Sequence, residues 1–162
     1  MKNESFKKGI KDGIPIGLGY LAVSFTFGMM SVSSGLSIWQ AVLISLTNLT
    51  SAGQFAGLDI IVAGGSYWEM ALTQLVINLR YCLMSFSLSQ KMRRDEPWAH
   101  RYLVAFGITD EIFGVSASQE GKVSAFYNYG AMCMAIPGWT LGTLLGAISG
   151  SLLPDFIMSA LG

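Results

Sequence analysis

Apolar residues run through this chain in long stretches, and polar residues gather at a few boundaries between them. Five runs approach or exceed the roughly 20 mostly apolar residues that a helix needs to cross a bilayer. They are Ile14–Ser34, Ile38–Gly64, Tyr67–Ser89, Tyr102–Ser118 and Ala125–Leu153, and a sixth begins at Asp155. Trp39, Trp68, Trp98 and Tyr127 stand near the ends of these runs, where aromatic rings favour the membrane interface. The pattern predicts an all-α, polytopic helical membrane protein forming one integral membrane domain over residues 1–162. Residues 1–89 read as a first repeat-like half, 91–101 as a loop and 102–162 as a partial second half.

Composition agrees. Hydrophobic residues make up 52% of the chain and charged residues 12%, about half the charged share of a soluble domain. Mean hydropathy is +0.50. The formal net charge is zero, so nothing points to nucleic acid. Cys82 and Cys133 lie in apolar runs and read as small buried hydrophobes, neither a disulfide framework nor a metal site. His100, the single histidine, reads as a solvated loop residue. The basic N-terminus resembles a signal-peptide start, but the apolar run after it exceeds the usual span of about 7–15 residues. It is expected to stay as the first membrane span.

Basic residues set orientation. Lys2, Lys7, Lys8 and Lys11 occupy the N-terminal arm, and Lys91, Arg93, Arg94 and Arg101 the central loop. Both are expected in the cytoplasm, which requires an even number of crossings between them, yet three apolar runs intervene. The conflict disappears if Ile38–Gly64 enters the membrane and returns to its own side. Its centre, "NLTSAGQ" (Asn48–Gln54), suits a turn. Asn, Thr and Ser bond locally to backbone, and Gly53 is free in its dihedrals. Broken backbone at membrane depth survives only where protein buries it or water reaches it. A broken or re-entrant element lining a cavity is therefore expected.

Ionisable residues at membrane depth are costly and mark function by default. Arg80 lies in mid-span with Asn78 two positions before it, Asp110 and Glu111 sit in "GITDEIFG", and Asp59 follows the broken segment. Arginine keeps its charge, so Arg80 needs a partner among Asp110, Glu111 and Asp59, or water. Adjacent acids on a helix point about 100° apart, so at most one of Asp110 and Glu111 faces Arg80. A zwitterion fits such a site. Its carboxylate can meet Arg80 or the amides of a half-helix, and its ammonium an acid. A buried acid can also carry a coupling proton. A purely structural ion pair is the competing reading.

Gly138, Gly142, Gly146 and Gly150 recur every fourth residue, and Gly13/Gly17 and Gly53/Gly57 repeat that spacing. Such stripes permit close helix packing, within the chain or to a partner. Pro137 is expected to kink the fifth run. Gly28–Ser45 and Thr143–Ala160 echo one another. With the second run re-entrant, run one goes outward and run five inward, the pattern of a possible inverted repeat.

Five ordered stretches, "GIPIGLGYLAVSFTFG", "TSAGQFAG", "INLRYCLMSFSLS", "TDEIFG" and "YNYGAMCMAIPGWTLGTLLGAISGSLLPDF", resemble the AzlC-type branched-chain amino acid exporters. The resemblance implies export of leucine, isoleucine, valine and toxic analogues such as azaleucine from the bacterial cytoplasm. It implies a small AzlD-type membrane subunit as partner and a place in the plasma membrane. It puts Ser51, Gly53, Gln54, Asn78, Arg80, Asp110 and Glu111 on motif positions; Asn48 joins them from the broken segment. Similar proteins continue with further helices beyond "LPDF", so a shortened member of the family is expected.

No nucleotide loop of the Gly-x-x-x-x-Gly-Lys type is present, so any uphill transport draws on an ion or proton gradient. No cofactor or metal is expected. Intramembrane proteases are disfavoured: no His-Glu-x-x-His or Gly-x-Gly-Asp motif appears, and His100 lies outside the apolar runs. The alternatives are a non-transporting assembly subunit and a carrier of another small zwitterion.

Overall fold

A computed structural model describes residues 2–152. The run starting at Asp155, the "LPDF" stretch and the end of the Thr143–Ala160 echo lie outside the described residues. Among the described residues there are seven helices: α1 (Lys2–Ser33), α2 (Ile38–Thr47), α3 (Ser51–Val62), α4 (Tyr67–Lys91), α5 (Ala99–Phe106), α6 (Asp110–Ala117) and α7 (Ala125–Leu152). The protein is all-α and polytopic. Three helices, α1, α4 and α7, are long and apolar enough to cross a membrane.

Helix α1 begins at Lys2, so the basic arm is the first turns of a helix about 48 Å long at 1.5 Å per residue. That exceeds a hydrocarbon core of about 30 Å, and Lys2, Lys7, Lys8 and Lys11 are exposed. Both prolines, Pro15 and Pro137, lie inside helices that continue through them.

The chain divides into two units, Met1–Leu18 with Asn78–Pro137, and Gly19–Ile77 with Gly138–Gly162. In the first, a Cβ at Gly13 would lie 2.9 Å from the Ala131 Cα and one at Gly17 2.6 Å from the Met134 carbonyl oxygen. In the second, Gly142 faces Leu21 and Ser24, and Gly146 faces Phe25. Backbone meets backbone at these points, so the glycine spacing serves packing within the chain. In both units residue numbers rise together on α1 and α7, so these helices run parallel. The expectation that the fifth run goes opposite to the first is corrected.

The reason is the fourth run. Tyr102–Ser118 is not one span but two eight-residue helices, α5 and α6, broken at residues 107–109. Each is about 12 Å long. Arg101 at the start of α5 donates to the Ser89 carbonyl (2.9 Å), and His100 Nδ1 meets the Tyr129 hydroxyl (2.7 Å). Asp110 at the start of α6 reaches Arg80, nine residues deeper along α4. The end of α6 returns to the α4 terminus, where Lys91 donates to the Ala117 carbonyl. Both arms thus open at one end of this unit, and α5/α6 is a hairpin.

In the second unit, α2 and α3 form the break expected from "NLTSAGQ", at residues 48–50. Ser37 starts α2 with a reciprocal capping box to Gln40. Ser45 near the inner end of α2 meets Thr143. The first turn of α3 lies beside Gln74 (Gln74 Nε2 to Gly53 carbonyl, 2.8 Å), and α3 ends five residues before α4 begins. This too is a hairpin. At about 15 and 18 Å, its arms each reach about halfway through a hydrocarbon core.

Each unit packs stretches of the same three long helices around one hairpin. One has the N-terminal stretches of α1 and α7 and the C-terminal stretch of α4 around α5/α6. The other has the C-terminal stretches of α1 and α7 and the N-terminal stretch of α4 around α2/α3.

Other expectations change at single residues. Cys82 and Cys133 are exposed, not buried; an apolar run in a membrane protein faces outward as readily as inward. Trp39, Trp68 and Trp98 are exposed near helix starts, as interfacial rings should be, but Tyr127 is buried. Its hydroxyl donates to Asp12 (2.8 Å) and accepts from Gln119 (3.0 Å). His100 is packed against Phe126 and Tyr129 rather than solvated. In the loop, Arg93 grips Asp95 through two nitrogens (2.7 and 3.1 Å), which holds that carboxyl below its usual range. Glu96 accepts from the Ser124 hydroxyl (2.5 Å) and the Ala125 amide (2.8 Å), closing the start of α7.

Candidate functional site

The α2/α3 break opens on a cavity of about 250 Å³. Phe27, Ile44, Leu58, Ile61 and Met70 form its apolar wall; Asn48, Gln54 and Gln74 supply amides; Gly53 and Gly57 supply bare backbone. None of these lining residues is charged. Small-molecule sites begin at roughly 300 Å³, so this space suits a small solute. An apolar wall with a few convergent polar groups is the usual make-up of a binding site.

A buried chain of hydrogen bonds holds the break in shape. Trp139 Nε1 donates to Gln54 Oε1 (2.7 Å), Gln54 Nε2 donates to Ser45 Oγ (2.8 Å), and Ser45 Oγ meets Thr143 Oγ1 (2.7 Å). All four residues are at most 2% exposed. The chain ties α2, α3 and α7 together with both functions of the Gln54 amide satisfied. Tyr20 stands edge-on to Trp139 (5.1 Å between centroids) and Phe27 to Phe55 (5.5 Å).

Helix α3 starts differently from α2 and α6. Ser37 caps α2, and Thr109 caps α6 by accepting from the Ile112 amide (3.3 Å). Thr50 holds the same position on α3 but makes no capping hydrogen bond. Its Oγ1 is buried without a hydrogen-bond partner. The first amides of α3 keep their donors and the positive end of the helix dipole.

The second polar centre lies in the other unit. Arg80 Nη1 meets Asp110 Oδ2 at 2.8 Å, with 44% and 45% of the two side chains exposed. The Arg80 guanidinium also lies over the Tyr81 ring (5.2 Å). Asp110 occupies the first turn of α6, where the helix dipole favours a carboxylate. This answers which acid Arg80 pairs with. In the same unit, Ser116 donates to Asn128 (2.9 Å), both fully buried.

The candidate residues therefore fall into groups. Asn48, Gly53 and Gln54 line the cavity, with Ser51 half-buried on the first turn of α3. Arg80 and Asp110 form the ion pair; Asn78 shares their unit on α4, and Glu111 follows Asp110 on α6. Asp59 is exposed on α3. Sequence reasoning missed Thr50, Gln74, Trp139, Ser45 and Thr143. Gln74, an amide inside an apolar run, carried a readable signal; the pairing of Trp139 with Gln54 across 85 positions did not.

A family model described as AzlC protein matches residues 15–153. The chain is 31% identical over 91% of its length to the inner membrane protein YgaZ of Escherichia coli K12, covering 62% of that protein. It is 32% identical over 94% of its length to an uncharacterized membrane protein of Archaeoglobus fulgidus, covering 66%. It is 22% identical over 97% of its length to the branched-chain amino acid transport protein AzlC of Bacillus subtilis, covering 65%. The chain thus spans just under two thirds of the length of these relatives. No solved structure matches. With the family match running through both hairpins and all three long helices, the chain belongs to the AzlC family of membrane proteins.

Proposed function

We propose that this chain forms the solute-binding part of a carrier that exports branched-chain amino acids from the cytoplasm. The observation that carries the reading is the α2/α3 cavity, small, walled by Phe27, Ile44, Leu58, Ile61 and Met70, and furnished with neutral amides. A branched aliphatic side chain gains from that wall at about 25 cal/mol per Å² buried. A zwitterion needs dipoles rather than a fixed charge, and the cavity supplies them. The name of the Bacillus relative points to the same solute class.

The N-terminus and residues 91–101 lie in the cytoplasm of this arrangement, following their lysines and arginines. The α2/α3 hairpin then enters from outside and α5/α6 from the cytoplasm, in the bacterial inner membrane. The Arg80–Asp110 pair is the coupling element. A proton on Asp110 breaks the pair, and half-exposure leaves that carboxylate reachable. Glu111 and Asp59 are the remaining acids for a proton relay. A small AzlD-type subunit completes the carrier.

Counterflow of labelled leucine in proteoliposomes tests the proposal, with and without the small subunit. Leucine, isoleucine and valine should exchange, and alanine should compete weakly because it leaves the apolar wall unfilled. Absence of exchange in both preparations would favour an assembly subunit, and equal competition by alanine another small zwitterion.

A further inference from the structure

Helices α2 and α6 begin with a Ser or Thr that caps its own amides; α3 begins with Thr50, which caps nothing. Thr50 is 3% exposed, and its hydroxyl oxygen is buried without a partner. Leaving a hydroxyl so costs stability unless something else uses it. Its position shows what it could serve. Thr50 Oγ1 lies 3.2 Å from where a Gly53 Cβ would stand, and Gly53 lines the cavity. The hydroxyl therefore lies along the first turn of α3, beside amides with no side-chain acceptor. Gly53 lets the Thr50 and Gln74 side chains approach that turn closely. A Cβ there would come within 2.5 Å of Thr50 Cγ2 and 2.7 Å of Gln74 Oε1.

We infer that the first turn of α3, the amides of Ser51, Ala52 and Gly53 together with the Thr50 hydroxyl, is a carboxylate-binding site. This rests on the proposed function and deepens it by placing the two ends of the solute. The carboxylate accepts from the α3 amides and from Thr50. The ammonium lies toward the Asn48 side-chain carbonyl, and the aliphatic group lies against Phe27, Ile44 and Leu58. Arg80 is not needed for the carboxylate, since its guanidinium already holds Asp110.

The test uses detergent-solubilised protein and isothermal calorimetry with leucine, leucinamide and 4-methylpentanoate. Leucinamide, which replaces the carboxylate by a neutral amide, should bind at least about tenfold more weakly than leucine. 4-Methylpentanoate, which keeps the carboxylate and lacks the amine, should retain more affinity than leucinamide. Thr50→Val should weaken leucine about tenfold or more, the value of a hydrogen bond to a charged group. Because it removes an unpartnered buried hydroxyl, Thr50→Val should unfold no earlier than the parent. Leucinamide binding as tightly as leucine overturns the inference, as does an unchanged leucine affinity in a folded Thr50→Val protein; leucine counterflow would still uphold the carrier. If the parent protein binds no leucine and shows no counterflow, the carrier reading itself falls.

Discussion

Replacing Trp139 by Phe keeps a ring against Tyr20 and removes one hydrogen-bond donor. The Gln54 Oε1 atom, in a residue 2% exposed, then has no partner. In soluble proteins such an orphan costs about 1–3 kcal/mol. In a membrane protein, measured side-chain couplings average only about 0.6 kcal/mol with a maximum of about 1.7, because the unfolded chain finds partners too. The upper part of that range applies here. Trp139 and Gln54 are 2% exposed, Ser45 and Thr143 are 0%, and the bonds join three helices. A double-mutant cycle of Trp139→Phe and Gln54→Met should therefore give a coupling of about 1–1.7 kcal/mol. The void left by the smaller ring enters single and double variants alike and cancels to first order. Equilibrium unfolding in mixed detergent–SDS micelles reads each variant. The double variant should be less damaged than the sum of the singles, since replacing both partners by apolar groups leaves no orphan. A coupling below about 0.5 kcal/mol, as independent sites show, would refute the idea that this chain of bonds holds the hairpin.

Three further outcomes follow from the same geometry. With Cys82 and Cys133 replaced, single cysteines at Ser37 and Gly65 should label from one face of the membrane, and those at Pro97 and Glu120 from the opposite face; a split within either pair rules out that hairpin. Gly17→Leu should cost about 1–3 kcal/mol by overpacking, as it drives a side chain into the Met134 backbone, while Gly19→Leu on the same helix, with nothing within 4 Å, should cost nothing in the same unfolding assay. Asp110→Asn removes the carboxylate that Arg80 holds and should abolish gradient-driven export in proteoliposomes; Glu111→Gln keeps the pair, and equal loss from both changes would count against Asp110 as the coupling acid.

What was legible in the sequence was local. The break at residues 48–50 showed through its own composition, since Asn, Thr and Gly cannot be spent cheaply at membrane depth. Arg80, Asp110 and Glu111 showed because charge there demands an explanation. The second hairpin was missed for an equally local reason. Tyr102–Ser118 is apolar and nearly long enough to span, and its length outweighed Thr109-Asp110-Glu111, which is a helix-start signal: a capping Thr followed by acids in the first turn. That single error reversed the direction assigned to α7. Partners such as Trp139 for Gln54, Thr143 for Ser45 and Tyr127 for Asp12 stand 85–115 positions apart, and no local pattern encodes them.

Those separations also set an order of events in time. The polar turn of α2/α3 leaves the ribosome well before α7, which carries the Trp139 and Thr143 groups that satisfy it. At about 5–20 residues per second, the 85 positions between Gln54 and Trp139 take about 4–17 s to synthesise. During that interval Gln54 and Ser45 must be served by each other, by water or by the insertion machinery. The hairpin is therefore completed after the fact, when α7 arrives alongside α1, and a ribosome stalled before Trp139 would hold residues 38–64 without their fastening.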